Sequence, residues 1–102
     1  MANTTIELSD NRIKGLIFDA QVTRALPGIK QTYESSYKSA SGCRRCGKAL
    51  QESTQQALQD VRRYIAGMGK KAQKTLLELM GASKIRIKVR GAGNKPVLVE
   101  IS

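Results

Sequence analysis

At 102 residues, with 18 Lys and Arg against 8 Asp and Glu and a formal charge of +10, the chain is sized for one domain (1–102) and biased toward a polyanionic partner. It has no His and no Trp, which excludes imidazole acid–base chemistry and a Trp stacking platform. No apolar run approaches the roughly 18 residues of a membrane helix, and the N-terminus does not read as a signal peptide; we expect an intracellular location or one inside an assembled particle, and no membrane partner.

Thr4-Thr5-Ile6-Glu7-Leu8 alternates briefly, as a short strand would. Ser9-Asp10-Asn11 supplies capping chemistry. Ile13, Leu16, Ile17 and Ala20 follow at helical spacing, although Gly15 and the Leu16-Ile17-Phe18 run also admit a strand. We read this segment as a helix, which Pro27-Gly28 ends. Ile29, Tyr33 and Tyr37 recur every four residues and predict a short second helix. Ser35-Ser36 and Ser39-Ala40-Ser41-Gly42 read as a flexible lead-in to a cysteine knuckle over 42–48.

The clearest helix covers about 48–67. Leu50, Ala57, Leu58, Val61, Ile65 and Met68 form its apolar stripe, with Gln51, Gln55, Gln56, Arg62 and Arg63 on other faces. Gly67 and Gly69 interrupt it. A shorter helix over about 70–80 turns Leu76, Leu77 and Met80 inward and Lys70, Lys71 and Lys74 outward, and Gly81 closes it. Residues 84–101 form a basic hairpin. Its first strand alternates strictly, with Ile85, Ile87 and Val89 on one face and Lys84, Arg86, Lys88 and Arg90 on the other. Gly91-Ala92-Gly93-Asn94-Lys95 turns the chain, and Pro96 opens the return strand where a sheet tolerates proline. The fold class is α+β, a mostly helical small domain with a C-terminal antiparallel β-hairpin. Leu50, Leu58, Val61, Ile65, Leu76, Leu77, Ile85, Ile87, Val89, Val97 and Val99 are the expected core.

Cys43-Arg44-Arg45-Cys46-Gly47-Lys48 carries the sharpest chemical signal. Two thiolates at this spacing grip one side of a tetrahedral zinc ion, and a closed site needs four ligands. Cys43 and Cys46 are the only cysteines and there is no His, so a second copy or a partner must complete the site. The motif resembles one knuckle of a zinc ribbon. A helix, a C-x-x-C apex and a second helix also resemble hook-type dimers in layout, in which two apices share one zinc as Cys₄. Two alternatives stay open: a redox pair, since thiols at a helix N-terminus beside arginines become acidic, and a pair of reduced thiols without metal.

The charge is uneven. Residues 1–40 hold five cations and four carboxylates, and residues 41–102 hold thirteen and four. The cations of the first hairpin strand stand about 6–7 Å apart, comparable with successive phosphates on one nucleic-acid strand, and a two-stranded ribbon can enter a major groove. The competing reading is a charged strand protected from edge-to-edge aggregation. Arg44, Arg45, Lys48, Arg62, Arg63, Lys70, Lys71, Lys74 and Lys95 extend the candidate phosphate-contacting surface. Base stacking is not indicated, because Phe18 and the tyrosines fall mostly on apolar stripes. The Gly91–Lys95 turn lacks Walker spacing and leads into a strand. No carboxylate pair or nucleophile elbow suggests an enzyme.

The sequence therefore points to a small basic accessory or regulatory protein that contacts the phosphate backbone of DNA or RNA. It would work as a homodimer or in a larger protein complex, with zinc shared through Cys43 and Cys46. The alternatives are a structural or assembly subunit of a ribonucleoprotein or virus-like particle, and a thiol-redox protein.

Overall fold

In a computed structural model of the chain, which describes residues 4–41, 50–90 and 95–102, the N-terminal alternation becomes strand β1 (Thr5–Glu7), with Ile6 buried and its neighbours exposed. Ser9 caps helix α1 (Asp10–Phe18), its hydroxyl accepting from the Arg12 N–H at 3.4 Å, and Ile13, Leu16 and Ile17 are buried. The Leu16-Ile17-Phe18 run is thus helical.

One expected helix up to Pro27 is two. Asp19 is extended, and its carboxylate accepts from the N–H groups of Gln21 and Val22 at 2.8 and 3.2 Å, starting α2 (Ala20–Ala25). An aspartate that caps the next helix competes with continuation of the previous one. Pro27 then opens α3 (Pro27–Ser41), where its missing N–H would have had no partner anyway. The serines expected to be a flexible lead-in are helical as far as Ser41. Serine's weak helix propensity is overridden by packing: α3 lies along α4 (Leu50–Ala66), and Ser36 donates to Asp60. The pair is antiparallel, since the start of α3 meets the end of α4, where Gly28 lies against the Tyr64 hydroxyl. A side chain at position 28 would make the Tyr64 ring move aside. Residues 42–49, which join the two helices and hold Cys43 and Cys46, lie outside the described residues.

Helix α5 (Lys70–Met80) ends at Gly81, which is left-handed at φ 63°. Strands β2 (Lys84–Arg90) and β3 (Pro96–Ile101) form the expected antiparallel hairpin, with Ile85 opposite Ile101 and Val89 opposite Val97. β1 joins on the other side of β2, parallel to it, with Ile6 opposite Ile85. The order is β1-β2-β3, so the five helices among the described residues lie within one long crossover between parallel strands. The α+β fold class is the expected one, with a third strand added to the hairpin.

One core gathers residues from all layers. Ile13, Ile29, Leu58, Val61, Ile65, Leu76, Ile85 and Ile87 are fully excluded from solvent, and Leu77 belongs to the same cluster. Val89 and Val99 are half-buried against it. Val97, expected inside, is 50 % exposed. It occupies the inward phase, but the helical cover thins along the sheet from the Ile85–Ile101 pair to the Val89–Val97 pair. The side chain of Leu50 lies outside the description.

Candidate nucleic-acid interface

Alternation puts the cations of β2 on the face opposite Ile85 and Ile87. Lys84, Arg86 and Lys88 are all exposed there, and Arg90 ends the strand opposite Pro96. Register supplies their neighbours: Thr5 and Glu7 from β1, Leu98 and Glu100 from β3. Each of these is exposed, so no helix among the described residues covers this face. The sheet is one-sided, core on one surface and solvent on the other.

Being central, β2 is no edge, and its charges do not serve as edge protection. They do have partners. Glu100 Oε1 lies 3.8 Å from Lys84 Nζ and 3.8 Å from Arg86 Nε, and Glu7 Oε1 lies 3.7 Å from Lys88 Nζ. Between side chains this exposed, such pairs contribute only about 0.2–1 kcal/mol each, and an arriving phosphate can displace them. The face is nevertheless less positive than β2 alone suggests. The signal for this was present in sequence, because Glu7 and Glu100 each alternate with apolar residues. Their meeting with the basic strand required the register.

The helix cations divide. Arg62, expected on a solvated face, is only 8 % exposed. Its Nε donates to the Leu8 carbonyl at 3.4 Å and its Nη2 to the Asp10 carboxylate. It is an internal clamp between α4 and the β1–α1 junction, with its guanidinium already engaged. The hydrogen bond from Arg62 holds the Asp10 carboxyl below its ordinary value, against the opposing effect of burial. A depressed carboxylate contributes stability that is present above its unfolded pKa, near 3.8, and is lost as pH falls through the lower folded value. Asp10→Ala is expected to cost about 1–3 kcal/mol at pH 7, below the range for fully buried pairs, because the Asp10 side chain is 40 % exposed. The difference from wild type should shrink in melts below about pH 4.

Arg63 is exposed and lies 3.9 Å from Asp60. Lys70, Lys71 and Lys74 are exposed on α5, whose Leu76 and Leu77 pack into the same cluster as Ile85 and Ile87. That helix therefore sits on the core side of the sheet, and the expected continuous surface is divided between two layers. Lys95 is exposed just before β3. Arg44, Arg45 and Lys48 fall outside the described residues, as does the turn over 91–94.

An open groove of about 1000 Å³ runs between α3 and α4, lined by Ser35, Ser36, Gln56, Asp60, Arg63 and Tyr64 among others. Its polar groups engage each other: Ser36 and Gln56 both donate to Asp60. Among the described residues no group of three His, Cys, Asp or Glu is placed to hold a metal ion, and no helix is long and apolar enough to cross a membrane. No protein-family model, curated protein or solved structure matches this chain.

Proposed function

We propose that this protein binds nucleic acid through phosphate contacts on the open face of its sheet, with Arg86 and Lys88 at the centre, as an accessory or regulatory factor. The observation that carries the reading is an uncovered sheet face whose middle strand presents Lys84, Arg86 and Lys88 to solvent. A rigid strand holds these charges at fixed spacing without side-chain help from the core, so binding follows the backbone and not the base sequence. The cysteine pair completes the proposal as half of a zinc site shared with a second copy or a partner. Support for that half is the C-x-x-C spacing, placed between two antiparallel helices.

The test is the salt dependence of binding. Arg86→Gln/Lys88→Gln should lower the slope of log K against log salt by about 1.8 units on duplex DNA, or about 1.4 on a single strand. Glu100→Gln removes a competing carboxylate and should strengthen binding. Both changes are on exposed side chains, so thermal melts should stay near wild type. Unchanged slopes, or a Glu100→Gln variant that binds less well, would remove the sheet face from the interface.

The assembly-subunit reading has one observation of its own. Phe18 is 81 % exposed, an apolar ring in water at the end of α1. Protein-only association of the chain, with nucleic-acid affinity unaffected by the sheet variants, is the outcome that favours it.

A further inference from the structure

Four large apolar side chains are exposed among the described residues, and two of them are consecutive: Val97 at 50 % and Leu98 at 56 %. Both lie on β3, an outer strand of the sheet. One row of its backbone N–H and C=O groups therefore faces away from β2, ready to pair with another strand. Edge strands are ordinarily protected by charged side chains, proline, bulges, shortness or a covering element, and on β3 the proline stands only at the first residue. β3 runs six residues, Pro-Val-Leu-Val-Glu-Ile, with no cation and one carboxylate. The opposite edge, β1, is only three residues long.

We propose that β3 is a self-association edge: it pairs antiparallel with β3 of a second copy about a twofold axis at Leu98, making one six-stranded sheet. Self-complementarity of the register selects a second copy as the occupant. With Leu98 opposite Leu98, each Val97 meets Val99 of the other copy on the inward phase, covering the side chain that the helices leave half in water. The outward phase gains the Leu98 pair, and cross-strand apolar pairs are the unit of sheet stabilisation. Glu100 comes opposite Pro96 of the other copy, beside Lys95, and away from its own twin. Pro96, which lacks an N–H, falls near the end of the paired segment, where a sheet accepts it. Moving the axis to Val99 would set Leu98 against Glu100. The absence of cations on β3 also matters in a chain of charge +10, because the contact forms along the one long strand where two copies do not oppose like charges.

Since Lys88 pairs with Leu98, the two Lys88 residues flank the Leu98 pair in one row, and the two basic faces become a single surface. The pairing itself depends neither on the nucleic-acid reading nor on zinc.

The experiment measures the mass of the full chain by sedimentation over a range of concentrations. It is run on the wild type with chelator and on Cys43→Ser/Cys46→Ser, so that a metal-linked dimer is removed. Should the serine variant fail to fold, the chelated wild type carries the mass comparison. Twice the chain mass of 11.2 kDa is expected. Val97→Lys/Leu98→Lys should return the monomer mass with an unchanged circular dichroism spectrum. In the serine background, Leu98→Cys should form a disulfide with its own copy under mild oxidation. Residues directly opposite lie about 4.5–5.5 Å apart between Cα atoms, inside the disulfide range. Glu100→Cys should not crosslink. A monomer at every concentration, a dimer that survives the double lysine variant, or crosslinking no faster at position 98 than at 100 would each overturn the proposal.

Discussion

Leu58→Ala is expected to lower the unfolding free energy by about 2–5 kcal/mol, read from urea melts at neutral pH. Leu58 is fully buried on α4 and shares one cluster with Val61, Ile65, Ile85 and Ile87. Truncation removes its transfer free energy and leaves a cavity, because helix and sheet are each held by other contacts and cannot collapse inward. Domains of this kind have only about 5–15 kcal/mol in total, so the variant should be partly unfolded well below the melting temperature of the wild type. Val97→Ala is the internal control. Half of that side chain is already in water, and a loss below about 1 kcal/mol is expected in dilute, monomeric samples. Equal losses at the two positions would mean that the core is not where α4 meets β2.

Replacing Cys43 and Cys46 together with serine should abolish zinc binding and, in the same step, weaken any dimer or partner complex held through the cysteines, while a dimer paired through β3 persists. Structural zinc in small domains is worth about 10 kcal/mol or more of apparent binding energy, so the effect exceeds that of any single core substitution. The wild type should carry about half an equivalent of zinc per chain if two copies share one Cys₄ site. Because the ligands must be thiolates, acidification should release the metal. Metal analysis and native mass spectrometry on one sample decide the matter. Wild-type protein purified without zinc, with an assembly that the double serine variant leaves unchanged, would exclude the shared site. Under the redox alternative the same substitution leaves the assembly intact and removes only thiol reactivity.

The α4 stripe, the phase of β2 and the Gly81 cap were all legible as sequence, because each is a local regularity: a 3.6-residue period, a two-residue period, a residue suited to positive φ. Chain-wide charge was equally legible, as was the sidedness of Lys84, Arg86 and Lys88. Which groups meet was not. Ile6 lies 79 positions from its partner Ile85, and no periodicity records that pairing or makes β2 the central strand. Arg62 falls on a polar phase of its helix, yet the β1–α1 junction arrives over it and takes it inside with Asp10. Val97 is in phase with the core but lies beyond the cover the helices give. Glu7 and Glu100 reach the basic face only through the strand register. Periodicity says which side of an element is apolar. How far another element extends across that side, and which charge it brings, depends on the packing of the whole chain.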